Sequence, residues 1–248
     1  GGIWAGSGFV GHLVASPFLC HHMSFDRLAP VYHWMERLLA GGKLQRCRTA
    51  FLSDVPFASR ILLAGEGHGR FLECVLKQFP AADVTVLDSS GKMLKVARQY
   101  CGGSAERVQF IHCDCRDWEP EPAQYDLVAT HFFLDCFSPE TLAIVIPRLA
   151  HALRPGGAWL LSDFRIPEEP GWQRLRARII HRMMYAFFRP AAGLTANRVT
   201  PPDRFMSGAG MVLINRQLAD WGLLHSDLWQ KRSRHPNAVH TPAPGNVD

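Results

Sequence analysis

The chain has 248 residues, 47% of them hydrophobic, and a formal net charge of +5. That is enough apolar sequence for one domain with a sizeable core and an appendage. No apolar run is long enough to span a bilayer and no basic segment precedes an apolar one at the start, so neither anchor nor signal peptide is expected; the modest charge comes without basic stretches interleaved with aromatics, so nucleic acid is not an expected partner.

Residues 1–22 are rich in glycine and small residues, with little periodicity, and read as a weakly structured extension. Met23 opens Ser24-Phe25-Asp26-Arg27-Leu28-Ala29-Pro30, where ordered sequence begins, and Val31 to Arg48 has helical spacing with Trp34, Leu38 and Leu39 on one side. From Arg60 onward short apolar runs alternate with helical stretches. The pattern predicts strands over 60–64, 84–87, 107–111, 125–130 and 158–162, and helices over 69–79, 90–101 and 139–153. Such alternation specifies a parallel sheet covered on both faces. Past Asp163, Pro170-Gly171 precedes a helix from Trp172 to Phe188, closed by Arg189-Pro190. Two runs, Met211–Leu218 and Leu223–Gln230, flank Asp220-Trp221-Gly222 as an antiparallel hairpin. The residues from 233 to 248 are polar and proline-rich and read as a flexible tail.

The most informative stretch is Ile61-Leu62-Leu63-Ala64-Gly65-Glu66-Gly67-His68-Gly69-Arg70. An apolar run ending in G-x-G-x-G reads as a buried strand that breaks into a glycine turn and then a helix. Glycine permits positive φ and leaves no Cβ between main chain and ligand, and the helix start offers free N–H groups to an anion. The next strand, Val84-Thr85-Val86-Leu87, ends in Asp88, a carboxylate placed to accept both hydroxyls of a ribose. These features specify a nucleoside-type cofactor across the carboxyl ends of the sheet. A dinucleotide fingerprint would carry its third glycine where this chain has Arg70.

Seven cysteines (Cys20, Cys47, Cys74, Cys101, Cys113, Cys115, Cys136) are an odd count without a C-x-x-C pair, a pattern of reduced thiols in a cytoplasmic protein. Cys113 and Cys115 would face opposite ways in a strand, and no metal site is expected.

From about residue 24 to 232 the chain resembles the class I AdoMet-dependent methyltransferases, most closely the branch containing ubiquinone/menaquinone C-methyltransferases and related small-molecule enzymes. The resemblance rests on motifs in order: Phe25-Asp26-Arg27-Leu28-Ala29-Pro30-Val31-Tyr32, the Gly65–Gly69 turn, and Leu87-Asp88-Ser89-Ser90 running into Met93-Leu94-Lys95-Val96-Ala97-Arg98. Val108-Gln109-Phe110-Ile111-His112-Cys113-Asp114, Tyr125-Asp126-Leu127-Val128 and Leu153-Arg154-Pro155-Gly156-Gly157 follow. It implies a doubly wound, seven-stranded, mostly parallel sheet with a C-terminal antiparallel hairpin and a helical cap. It further implies an N-terminal helical lid over 23–56, a core over 57–232 and a cap insertion near 164–210.

The resemblance implies S-adenosyl-L-methionine as cofactor. Gly65, Gly67 and Gly69 would let the backbone approach its methionine part, Asp88 would hold the ribose, and Ser89 begins the following turn. Asp114 would accept from the adenine amino group, the Cys115 backbone N–H would donate to the ring, and Met93 would lie against the adenine face. Tyr32 and His33 would lie over the cofactor if the first helix folds down, or simply pack. One departure stands out. Where the family carries an acidic residue two positions before the first glycine, this chain has Leu63. Glu66, inside the turn, is the candidate replacement, and the substitution keeps open a cofactor-binding protein without turnover.

Methyl transfer is an in-line displacement that relies on alignment, and a base is needed only where the nucleophile holds a proton. His131, directly after Thr130 at the fourth strand's end, is the candidate base or cofactor-contacting wall; Asp135 reads as a loop or helix-start residue. No N/D-P-P-Y/F sequence follows that strand, which argues against adenine-N6 DNA methylation. On the 172–188 helix, Arg174, Arg178, Arg182, Tyr185 and Arg189 form one stripe and Leu175, Ile179, Met183, Ala186 and Phe187 another. The apolar stripe is expected to cover a substrate pocket with the arginines in water, or the helix meets an anionic membrane surface transiently. With Met183, Met184, Phe187 and Phe188 in such a cap, the acceptor reads as a small, fairly apolar molecule with a C or O nucleophile. Another AdoMet-fold transfer, such as aminopropyl transfer, is the rival within enzymes.

Overall fold

The structure, a computed structural model, describes residues 42–192, 196 and 198–233, with 188–192 described in their backbone only. The expected extension over 1–22, the lid before residue 42, Tyr32, His33 and the tail beyond 233 lie outside the described residues, as does the side chain of Phe188.

In chain order the elements are α1 (Lys43–Thr49), β1 (Arg60–Ala64), α2 (Arg70–Gln78), β2 (Asp83–Asp88), α3 (Gly91–Cys101), β3 (Val108–His112) and β4 (Tyr125–His131). There follow α4 (Pro139–Ala152), β5 (Leu153–Phe164), α5 (Trp172–Ala192), α6 (Asp203–Gly208), β6 (Met211–Ala219) and β7 (Leu224–Lys231). The seven strands form one sheet in the order β3-β2-β1-β4-β5-β7-β6. The first five run parallel, and β7 pairs antiparallel with both β5 and β6. The order reverses between β1 and β4, which makes the space beyond their carboxyl ends the topological switch point. This is the doubly wound sheet with terminal hairpin that the family resemblance implies.

Strand parity splits the core into two layers. Ile61 and Leu63 of β1, with Leu127 and Ala129 of β4, pack on Phe71, Leu72 and Val75 of α2. Leu62, Ala64, Val128 and Trp159 face the other way, onto Leu142, Val145, Ile146 and Leu149 of α4. Both faces are therefore apolar, as parallel sheets require. At the amino edge the Asp126 carboxylate ties β4 to the approach of β1, accepting the N–H groups of Ser59 at 2.7 Å and Arg60 at 3.1 Å.

Helix starts are set by local chemistry. Ser90 caps α3 by accepting the Met93 N–H at 3.2 Å, and Ser138 caps α4, whose first turn contains Pro139. Strand β5 starts at Leu153 instead of 158, and helix α5 departs from the sequence reading in two ways. Helix α5 does not close at Pro190 but continues to Ala192, because a proline this near a helix end forfeits little of the ladder. Its docking side also differs: Arg178 and Arg182 are exposed as expected, but so is the apolar stripe, and a third side packs inward. Leu175, Ile179, Met183 and Phe187 stand 60%, 52%, 67% and 48% exposed, while Ala177, His181 and Tyr185 are buried. Ala177 and Ile180 pack with Leu44 and Cys47 of α1 and Leu223 and Leu224 at β7, and the Tyr185 hydroxyl donates to the Asp135 carbonyl at 2.8 Å. A small residue lets α5 approach closely, so the side with fewer large hydrophobes is the one that docks. No helix among the described residues is long and apolar enough to cross a membrane.

Candidate functional site

A cleft of about 650 Å³, partly open to solvent, lies at the carboxyl ends of β1, β2 and β4. Its walls come from three turns that the sheet brings together. The first follows β1. Gly65, Gly67 and Gly69 all have positive φ, at 71°, 69° and 84°, and the Gly65 N–H donates to the Leu87 carbonyl at 2.9 Å. A Cβ at Gly65 would run into the Phe133 ring, and one at Gly69 would come within 3.0 Å of the Ala97 backbone; one at Gly67 would meet nothing. Gly65 and Gly67 line the cleft, whereas Gly69 starts α2 and lets it pack against α3.

The second turn follows β2. Asp88 accepts the Ser90 N–H on Oδ1 at 2.8 Å and the Gly67 N–H on Oδ2 at 3.4 Å, which joins the two turns. Ser89 and buried Met93 continue the wall. The third turn follows β3, which ends at His112, so Cys113 and Cys115 lie in a loop and both line the cleft instead of pointing to opposite faces. Asp114, between them, is buried; its carboxylate takes Arg116 in a two-pronged grip, Nε to Oδ1 at 2.9 Å and Nη2 to Oδ2 at 2.7 Å. A carboxylate has lone pairs to spare for a further donor. Burial, aided by the Asp114 charge, pushes the Cys115 thiol far up, and burial does the same to Cys136. Burial thus favours the neutral thiol at both positions.

Phe132, Phe133 and Phe137, with Leu87 and Cys136, close the cleft. Sequence reasoning missed the aromatic wall: the run His131-Phe132-Phe133 was visible, but not which member would turn inward. The structure places His131 elsewhere. It shares the parity of Leu127 and Ala129, lies edge-on to Phe71 at 4.4 Å and is buried with neither ring nitrogen hydrogen-bonded. Burial, and then the Arg48 charge, holds its pKa well below the usual imidazole value, so the ring is neutral. It is not among the groups that line the cleft.

Glu66 also turns away from the cleft. Its Oε1 accepts the Phe71 and Leu72 N–H groups, both at 2.9 Å, and caps α2. Burial pushes its carboxyl up to about 7, against the lowering by the Leu72 N–H, Arg48 and the Phe71 N–H. Leu63, where the family carries an acid, is core. Nearby, buried Asp163 at the end of β5 and half-buried Asp135 in the turn after β4 form an acid pair. Asp163 Oδ1 accepts the Phe133 N–H at 3.0 Å, while its Oδ2 has no donor. Desolvation and then the Asp135 charge drive Asp163 well above the carboxylate range, and desolvation lifts Asp135 to about 6.

The comparisons agree with this geometry. Residues 61–157 match a family described as "Methyltransferase domain". The chain is 28% identical over 148 residues to the ubiquinone/menaquinone biosynthesis C-methyltransferase UbiE of Syntrophotalea carbinolica, covering 59% of this chain and 62% of that protein. It is 29% identical over 203 residues to a trans-aconitate 2-methyltransferase of Methylobacterium nodulans, covering 79% and 70%. The chain thus spans less than two thirds of the first relative's length. Among solved structures it resembles the 1,6-didemethyltoxoflavin-N1-methyltransferase of Burkholderia thailandensis, with a TM-score of 0.57, 16% identity and coverage of 91% and 99%; that likeness is one of fold. In its strand order, its glycine turn and the methyltransferase domain matched over residues 61–157, the chain is similar to S-adenosylmethionine-dependent methyltransferases.

Proposed function

We propose that the protein binds S-adenosyl-L-methionine in the switch-point cleft and transfers its methyl group to a small molecule. The observation that carries this reading is the convergence of three turns on one cleft: Gly65 and Gly67, Asp88 and Ser89, and Cys113 to Cys115. In this reading Asp88 accepts the ribose hydroxyls, Asp114 the adenine amino group, the Cys115 N–H serves the ring, and Met93 lies on the adenine face. The cofactor supplies the electrophilic methyl; the chain's residues bind, orient and exclude water. Phe132 and Phe133 make the reactive end dry. The acceptor's nucleophile is oxygen or carbon. The case for a fairly apolar acceptor, which rested on Met183, Met184, Phe187 and Phe188, weakens because Met183 and Phe187 are exposed. A cytoplasmic setting belongs to the same reading, supported by six free thiols among the described residues.

Isothermal titration with S-adenosylmethionine and S-adenosylhomocysteine tests the cleft. Asp88→Ala should cost about 1.5–3 kcal/mol of binding, as for hydrogen bonds to a charged group, and Asp88→Asn controls for relaxation of the turn it holds. Unchanged affinity in both variants would remove Asp88 from the site. Leu63 in the core and Glu66 on the helix favour a second reading, a binding protein without turnover. Tight binding with no methyl transfer across quinols, phenols and organic acids would select it.

A further inference from the structure

One strand beyond the cofactor cleft, a second concavity opens on the same carboxyl edge. It lies between the end of β5, the start of β7, Arg216 of β6 and the segment 198–204 leading into α6. It spans about 1400 Å³, much of it open to solvent. The two spaces share a wall. Phe132 and Phe133 line the cleft and Phe164 lines the second cavity. The Phe132 and Phe164 rings are 5.3 Å apart, and Asp163, next to Phe164, holds the Phe133 N–H.

The cavity's charge is uneven. Arg165, Arg198, Arg204 and Arg216 line it, against Glu168 and Asp203. Arg216 is already committed, bonding Asp227 at 2.7 and 2.6 Å and Asp203 at 2.8 Å. Glu168 sits 3.8 Å from Arg165 but is 91% exposed, so water screens the pair. Glu140 of α4 feels Arg198 and Arg204 only at longer range. Among the described residues no acid lies within ion-pair distance of either of those two arginines. At the floor is buried His225, its Nδ1 3.1 Å from Asp227 Oδ1 without hydrogen-bond alignment. Guanidinium groups without a carboxylate partner among the described residues, Arg204 being stacked on the Phe205 ring at 4.4 Å, suit an oxyanion over a buried imidazole, because the planar fork matches carboxylate and phosphate.

We propose that this cavity is the acceptor pocket and that it selects an acidic small molecule, whose carboxylate or phosphate is held by Arg165, Arg198 and Arg204 while its nucleophile faces the cofactor cleft past Phe164. This rests on the cofactor reading above. The full chain, saturated with S-adenosylhomocysteine, is titrated with citrate and phenyl phosphate and with their neutral counterparts triethyl citrate and phenol. At least one acid should bind about tenfold or more tightly than its counterpart, and Arg198→Ala/Arg204→Ala should weaken it by about tenfold or more with S-adenosylhomocysteine affinity unchanged, a tenfold step being about 1.4 kcal/mol. Which acid binds identifies the anion. Absence of binding by both acids, equal binding of the neutral molecules, or a double variant that binds like the parent overturns the proposal. Failure of S-adenosylhomocysteine itself to bind overturns the cofactor reading instead, and with it the acceptor role.

Discussion

At Gly65 and Gly67 the same substitution should have different consequences. Both have φ near +70°, where a residue with a Cβ loses about 1–2 kcal/mol. At Gly65 the new methyl also meets the Phe133 ring, so overpacking adds about 1–3 kcal/mol. At Gly67 it meets open space, which in our reading the cofactor fills. Gly65→Ala should therefore lower the urea midpoint strongly, whereas Gly67→Ala should lower it only by the backbone cost yet bind S-adenosylhomocysteine more weakly. Equal affinity for Gly67→Ala and the parent would take Gly67 out of the cofactor contact. These residues were legible because a glycine run after an apolar strand and a carboxylate at a strand end each have a local cause. Phe133 and the Asp135–Asp163 pair were not, since what places them is pairing between strands distant in sequence. His131 was legible as a strand end but was credited with a position facing the cleft; its parity with Ala129 sends it to the α2 layer.

Helix α5 shows the same limit at the scale of an element. Its existence and start followed from spacing and from Pro170-Gly171, but a helix with apolar residues on two sides does not announce which side docks. The close approach at Ala177 decides it: that residue is 1% exposed, while Met183 opposite is 67% exposed. Ala177→Leu should destabilise by about 1–3 kcal/mol through overpacking, and Met183→Lys should stay within about 0.5 kcal/mol, as surface changes do. Thermal or urea unfolding of the two variants checks this. A large loss for Met183→Lys with little change for Ala177→Leu would restore the apolar stripe to the interior. The sheet itself was legible almost strand by strand because both of its faces are buried and each run is short and apolar; α6, one short turn of helix, left no periodic signal.

For the whole molecule, folding holds acids and histidines neutral, and the two groups pull stability in opposite directions with pH. The folded Glu66 carboxyl is raised from 4.5 to about 7, so its contribution is complete below about pH 4.5 and is lost as pH rises through 7. Asp135, raised to about 6, acts in the same sense. His181 is lowered by burial from 6.5 to about 4, so its contribution is complete above pH 6.5 and is lost as pH falls toward 4. His131, shifted in the same direction by burial and Arg48, adds to that side. Between about pH 4.5 and 6.5 the opposing slopes overlap, and the parent's stability should vary less there than either set alone would require. Glu66→Gln keeps an oxygen to accept the α2 N–H groups but removes the titration, so it should gain on the parent as pH rises from 4.5 to 7. His181→Met should lose ground to the parent as pH rises from 4 to 6.5. Urea midpoints of the three proteins across this range give both slopes. If the Glu66→Gln difference from the parent is flat with pH, the carboxyl is not held up by the fold, and its capping of α2 is the whole of its role in the unliganded protein.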